Sequence, residues 1–142
     1  MRIHIITIGE PKLDYAKSGW KEYLKRLKHY HTVEVTHIPD KHNEPKYLLD
    51  AAGKAYKIAL TIDGTQLSSP ELASFLEGHM MESKEIAFLI GGPDGLQKEV
   101  LEKCPVHLSF SRLTFPHDLA MVILLEALYR AATIAAGQPY HR

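Results

Sequence analysis

The sequence has one cysteine, no excess charge of either sign and no long apolar run. Cys104 alone cannot form an intramolecular disulfide or a thiolate zinc cage, and such scarcity predicts a reducing compartment, the cytoplasm. The 17 basic and 17 acidic residues cancel, so any basic surface must come from local segregation of charge. No apolar run is long enough to cross a membrane, and the N-terminal residues lack a signal-peptide cleavage site.

Length and composition predict one folded domain. The chain has 142 residues, of which 45% are hydrophobic and 24% are charged. Runs of β-branched residues alternate with segments whose apolar residues recur every three or four positions, which predicts strands alternating with helices. The predicted strands are 2–8, 32–38, 55–62, 85–90 and 106–110, and the predicted helices are 11–30, 46–54, 70–81, 96–103 and 116–136. Because consecutive parallel strands need crossover helices, this order predicts an α/β domain with a mostly parallel sheet.

Two of the predicted helices carry a further signal. The last one, 116–136, is apolar around almost its whole circumference, and a domain of this size has little interior in which to bury it. We therefore expect a homodimer packed through residues 117–136. The first helix has lysines on one face, at Lys17, Lys21, Lys25 and Lys28. That face either contacts RNA phosphates or, as is more common, is a solvated surface.

Glycine and polar residues follow three of the predicted strands. Residues 90–95 follow a strand that is apolar throughout, and residues 62–65 and 108–116 follow two others. Ligands of open α/β sheets bind beyond the carboxyl ends of the strands, where glycines allow a close approach to the backbone. We expect the three loops to line one pocket, with a plain strand-to-helix turn as the alternative for 90–95. The glycine spacing there matches neither the dinucleotide fingerprint nor the P-loop.

Other catalytic chemistries find little support in the residue pattern. Nine histidines are present, but those such as His4 and His37 have no partner at a recognised ligand spacing, so we expect no metal site. Cys104 has no identifiable base beside it, which favours a packing role over a nucleophilic one. The terminal Tyr140, His141 and Arg142 are either a cluster that holds a nucleobase or a frayed tail.

Four motifs, taken together, resemble those of one family. They are IGGPDG at 90–95, LSFSRLTFPH at 108–117, LYRA at 128–131 and PYHR at 139–142. In this order and at these separations they resemble the pseudouridine-N3 methyltransferases of large-subunit ribosomal RNA, in the SPOUT superfamily. The resemblance spans residues 1–142 and implies a single SPOUT domain with a C-terminal trefoil knot, acting as a homodimer. It implies methylation of N3 of a pseudouridine in helix 69 of 23S rRNA, on the assembled 70S ribosome, with S-adenosylmethionine as cofactor.

The resemblance also assigns functional residues. Those implied to contact the cofactor are Leu60, Gly92, Phe110, Ser111, Arg112, Leu113, Thr114 and Phe115. The candidates for placing the flipped base and stabilising its anion are His117, Arg130, Tyr140 and His141, with Arg142 as an RNA contact. Methyl transfer from a sulfonium needs alignment and loss of the N3 proton but no covalent enzyme intermediate. A pocket without a nucleophile therefore suffices.

Two residues depart from the usual pattern of that family. Met121 stands where arginine is usual, four residues after His117, and Ala127 stands where glutamine is common. An apolar side chain cannot replace a guanidinium in an ion pair or a phosphate contact. The alternative functions are thus a cofactor-binding relative with reduced or lost activity, and a nucleotide-binding α/β module of unrelated chemistry.

Overall fold

The strands and helices alternate along the chain in the predicted order. The computed structural model describes residues 2–83 and 85–141, in which the regular elements are β1 (Arg2–Ile8), α1 (Asp14–Leu27), β2 (Thr32–Ile38), α2 (Pro45–Ala52), β3 (Tyr56–Gln66), α3 (Ser69–Glu82), β4 (Glu85–Ile90), α4 (Lys98–Glu102), β5 (Val106–Ser109) and α5 (His117–Ala135). A short 3-10 turn, Asp40–His42, precedes α2. No helix within these described ranges is long and apolar enough to span a membrane.

The strands form one sheet in the order β2-β1-β4-β3-β5. Each pair of neighbouring strands is parallel, which confirms the predicted α/β class. β4 lies at the centre, and five of its six residues are buried, as expected for an apolar strand that is covered on both faces. The trefoil knot implied by the family resemblance stays a prediction.

Helices cover both faces of the sheet and create two apolar cores. On one face, Ile86 and Phe88 of β4 pack with residues of α1, α3 and α5. On the other face, Ala87 and Leu89 pack with residues of α2 and α4. Cys104 is buried in this second core, where burial raises the pKa of its thiol, so its predicted packing role is confirmed.

β3 is longer than the sequence predicts. The Asp63-Gly64 pair predicts a turn after Ile62, whereas the strand continues to Gln66 and its pairing with β5 shifts at a bulge after Leu60. A Cβ on Gly64 would lie only 2.7 Å from the backbone carbonyl of His107. The glycine therefore permits a close approach between two strands and does not end β3.

Only one side of the last helix is buried within the chain, as its apolar circumference led us to expect. α5 packs on the sheet between α1 and α3, and at the crossing with α1 a Cβ on Gly19 would lie 3.0 Å from Val122. The residues of α5 that are buried within the chain are Asp118, Met121, Leu124, Leu125, Leu128, Ala131, Ala132 and Thr133. Ala120, Val122, Ile123 and Ile134 are only half-buried, and Ala135 is exposed. The homodimer packed through residues 117–136 stays a prediction.

The start of α5 is joined to the start of α1 by a buried carboxylate. Leu13, the N-cap of α1, provides no side-chain cap of its own. The Oδ2 atom of Asp118 instead accepts hydrogen bonds from the backbone N–H groups of Lys12 and Leu13, at 2.8 and 2.7 Å. Since the first N–H groups of a helix have no partner within it, Asp118 acts as the cap of α1 from a distant part of the chain.

We expect Asp118→Ala to lower the free energy of unfolding by about 1 to 3 kcal/mol, because two N–H groups lose a charged acceptor. Asp118→Asn keeps one acceptor oxygen and should lose less. Urea denaturation of the three proteins measures the difference. Equal stability of the Ala variant and the parent would contradict the capping role.

Candidate functional site

An open cleft lies at the carboxyl ends of β4 and β5, beside the middle of β3. Its walls are residues 60–62 within β3, the loop that follows β4, the loop at 110–115 and Ala120 in the first turn of α5. The prediction of a shared pocket is confirmed for the 90–95 and 108–116 loops, whereas the third wall is the strand β3 itself and not a loop at 62–65. Of the side chains that line the cleft in the described ranges, none is charged. The cleft therefore offers apolar surface, hydroxyl groups and backbone polar groups to a ligand.

The loop after β4 is a tight turn that also forms one wall of the cleft. The N–H of Gly95 donates to the carbonyl of Gly92 at 2.9 Å, and Gly95 has a φ of +79°. A Cβ on Gly91 would lie 2.4 Å from the carbonyl carbon of Gly95, so the loop closes on itself only without that side chain. A Cβ on Gly92 would approach Asn43 and Ile8, neither of which lines the cleft. Gly92 thus presents its backbone to the cleft.

A buried serine connects two walls of the cleft. The hydroxyl of Ser109, which is 2% exposed, lies 2.9 Å from the carbonyl oxygens of both Ile62 and Ser111, to which it donates. The hydroxyl of Ser111 in turn accepts a hydrogen bond from the N–H of Leu113 at 3.0 Å. These contacts hold two large apolar side chains at the cleft, where Ile62 is 53% and Leu113 is 71% exposed. Their exposed surface gains free energy if a ligand covers it.

The structure brings most of the predicted cofactor residues to this cleft. The predicted residues that line it are Leu60, Gly92, Phe110, Ser111, Leu113, Thr114 and Phe115, whereas Arg112 is exposed and lies outside the lining. The resemblance did not assign Thr61 and Ile62 of β3 to the cofactor, nor Ile90, Gly91, Pro93 and Gly95, although these last four belong to the predicted loop 90–95. Ala120 was missed for a different reason, since its place depends on how α5 docks. The role of these residues in binding a cofactor stays a prediction.

His117 is the first residue of α5, one turn before Ala120, and it contacts the carboxyl end of β1. Its Nε2 atom is 2.6 Å from the carbonyl oxygen of Ile8, so this nitrogen carries the proton and donates it. The contact orients the ring at the carboxyl edge of the sheet. His117 is not among the side chains that line the cleft in the described part of the chain.

The other three candidate residues form a cluster near the end of α5. The guanidinium of Arg130 lies 2.7 Å from Glu126, 3.1 Å from Nδ1 of His141 and 4.8 Å from the ring centroid of Tyr140. Tyr140 also packs edge-on against Tyr129, with ring centroids 4.6 Å apart. The terminal segment is therefore folded onto the helix, and the frayed-tail alternative is wrong for the described residues. Arg142 lies outside them.

This tail cluster (Glu126, Tyr129, Arg130, Tyr140 and His141) combines a permanent cation, the groups that accept hydrogen bonds from it, and two tyrosines. Burial and a hydrogen bond with Tyr23 raise the pKa of Tyr140 to about 12, so its phenol stays protonated at neutral pH. The hydrogen bond with Glu126 raises the pKa of the Arg130 guanidinium further. Nδ1 of His141 faces this cation and accepts a hydrogen bond from it at 3.1 Å.

Within one chain, the tail cluster and the cleft lie far apart. Ala120 is at the cleft and Arg130 is in the cluster, and the ten residues between these positions span about 15 Å along a straight helix. The structure thus unites Arg130, Tyr140 and His141 but separates them from the cleft and from His117. The distance along the helix already follows from the predicted helix 116–136, whereas the place of Ala120 at the cleft depends on how α5 docks on the sheet.

Known proteins resemble the chain in both sequence and fold. A family model described as "Predicted SPOUT methyltransferase" matches residues 1–141. The chain is 50% identical to "Ribosomal RNA large subunit methyltransferase H" of Deinococcus radiodurans, over 100% of this chain and 99% of that protein. It is 49% identical to the protein of the same name from Deinococcus deserti, over the full length of both. The crystal structure of tRNA (m1G37) methyltransferase from Aquifex aeolicus has a TM-score of 0.60 at 16% identity, with 100% of this chain and 74% of that chain covered.

We expect Ala120→Phe to prevent binding of S-adenosylmethionine, because the ring would occupy the cleft while a helix readily accommodates the residue. Ala120→Ser, which adds only a hydroxyl, is the matched control and should keep binding. Titration calorimetry on both variants, with circular dichroism to verify folding, measures the effect. A folded Phe variant with the parent affinity would exclude this cleft as the cofactor site.

Proposed function

The chain belongs to the SPOUT methyltransferase family, in the group of ribosomal RNA large subunit methyltransferase H, and we propose that it methylates N3 of a pseudouridine in helix 69 of 23S rRNA. The methyl donor is S-adenosylmethionine and the substrate is the assembled 70S ribosome, so the reaction takes place in the cytoplasm. The observation that carries the proposal is the uncharged cleft where the 90–95 and 108–117 motifs meet.

The chemistry of the cleft suits S-adenosylmethionine. Ile62 and Leu113 offer apolar surface for the adenine ring, and the 91–95 turn brings backbone polar groups to the same cavity. When bound, the cofactor supplies an electrophilic methyl group on a sulfonium. The protein's own tasks are then to hold the base in line with that methyl group, to exclude water and to assist loss of the N3 proton.

The tail cluster is suited to holding the base and to assisting the loss of its N3 proton. Arg130 is a permanent cation that Glu126 and His141 hold in one orientation, and it can stabilise the anion that forms as N3 loses its proton. Tyr140 presents an aromatic ring on which a base can stack. Neither Tyr140 nor Arg130 has a pKa that suits a general base at neutral pH. The final proton acceptor is then solvent or His141.

Because the cleft and the tail cluster are separated in one chain, the active site requires two chains. We place the tail cluster of one subunit at the cleft of its partner, in a homodimer. This arrangement gives the dimer a catalytic reason in addition to the half-buried apolar side of α5. Tyr140 and His141 are only half-buried in the single chain, so a partner subunit can reach them.

Two observations bear on RNA binding and on the alternative of a less active relative. The side chains of Lys17, Lys21 and Lys25 on α1, and of Lys28 just after it, are all exposed, as both phosphate contact and a plain solvated surface require. Met121 is fully buried among the core residues of α5 and is absent from the cleft lining. Its presence in place of arginine therefore changes packing in the core and leaves the cleft walls intact, which favours the active enzyme.

A mixing experiment tests whether the tail acts across the dimer. We expect the Ala120→Phe protein and a chain that ends at Pro139 to be inactive separately in labelled methyl transfer to ribosomes. Mixed and allowed to exchange subunits, they should recover about a quarter of the parent activity, because random pairing yields that share of sites with an intact cleft and an intact partner tail.

The controls separate the proposed dimer from the proposed function. The truncated chain should bind S-adenosylmethionine as the parent does, because its cleft is unchanged. A mixture that stays inactive while the parent methylates ribosomes would show that the tail acts within its own chain. A parent that binds S-adenosylmethionine but never methylates ribosomes would contradict the proposed function itself.

A further inference from the structure

We propose that His4, Glu34 and Glu85 form a site for a divalent transition-metal ion, with zinc as the best match. The site lies near the amino ends of three neighbouring strands, β1, β2 and β4, away from the cleft at their carboxyl ends. One ligand atom from each of the three side chains lies within 4.8 Å of the other two. The proposal does not depend on the proposed methyltransferase function.

Strand register is what brings the three residues together. His4 of β1 is the direct partner of Glu34 on β2. On the other side, Glu85 of β4 is the partner of Arg2, which lies two positions before His4 and so on the same face of the sheet. The residues are 30 and 81 positions from His4 along the chain, so no ligand spacing in the sequence reveals them. The expectation of no metal site rested on such spacing alone.

The imidazole of His4 is positioned as a metal ligand would be. Its side chain is 6% exposed, and its Nε2 atom lies 2.7 Å from the hydroxyl of Thr36. A hydrogen bond at one ring nitrogen fixes the ring and directs the other nitrogen, as in many metal sites. Here Nδ1 points to the carboxylate of Glu34, at 4.0 Å, which is too long for a hydrogen bond.

The ligand set selects the class of ion. One imidazole and two carboxylates suit a borderline cation such as zinc, which binds these atoms at about 2.0 to 2.2 Å. The carboxylates need to move by only about 1 Å to reach such distances, and Glu34, whose side chain is 59% exposed, is free to rotate. A bound cation would also offset the repulsion between two neighbouring carboxylates. With three protein ligands, water completes the coordination.

Arg2 is a basic residue on the same face, and it offers a competing explanation for the position of the two glutamates. Arg2 is exposed, and it takes part in none of the ion pairs found among residues 2–83 and 85–141. If the carboxylates served only Arg2 or a protonated His4, metal would add nothing to their stability. The two explanations therefore make opposite predictions for zinc.

The test is titration of the untagged, chelator-treated protein with Zn²⁺ in a calorimeter. We expect one ion per chain and a higher melting temperature, because an ion that joins three strands binds only the folded state. Glu34→Gln and Glu85→Gln should each weaken the affinity by at least about tenfold, since each removes a ligand. Co²⁺ in place of Zn²⁺ should give visible absorption bands that His4→Asn abolishes.

Glu102→Gln is the matched control, because the side chain of Glu102 is 61% exposed, close to that of Glu34, and lies outside the cluster. It should leave zinc affinity unchanged. The proposal is overturned if Glu34→Gln and Glu85→Gln bind zinc as the parent does, or if zinc does not raise the melting temperature. Affinity for S-adenosylmethionine should be the same in all these proteins.

Discussion

The carboxylate of Asp118 accepts hydrogen bonds from the N–H groups of Lys12 and Leu13, just before α1, and the architecture of the site depends on this contact. It joins the loop after β1 to the first turn of α5, and the hydrogen bond from His117 to Ile8 reinforces the same junction. Ala120 then falls at the cleft. Because an α-helix is straight and rigid over this length, fixing its start also fixes where its other end lies. Arg130 and the tail therefore lie beyond the reach of the cleft in the same chain.

This constraint divides the chemistry between two places. The cleft contains apolar walls and backbone polar groups, which can bind and orient a ligand but do not titrate. The tail cluster contains the permanent charge of Arg130, together with aromatic rings, which hold a base and stabilise an anion. In the proposed function, methyl transfer requires both halves, and the proposed homodimer joins them.

The sequence predicted the regular parts of the fold well because they depend on local patterns. β1, β2 and β4 have the predicted bounds, since their apolar runs end at clear breaks. β3 was misjudged at Gly64, because a glycine that permits close strand contact has the same local appearance as one in a turn. α1 begins at Asp14 and not at Pro11, because the N–H groups that precede it are satisfied by Asp118, more than a hundred residues away.

The candidate site was predicted only where its residues belong to the motifs. Gly92 and Phe115 were placed correctly at the cleft, whereas Ala120 entered it through the docking of α5. The separation of Arg130 from the cleft, and the meeting of His4 with Glu34, both follow from tertiary geometry. Such long-range geometry has no counterpart in the spacing of residues along one sequence.

The most direct test of the proposed function is labelled methyl transfer to purified ribosomes that lack the modification, followed by mapping of the modified nucleotide. The account predicts label on N3 of one pseudouridine in helix 69 of 23S rRNA, and label elsewhere or none at all would contradict it.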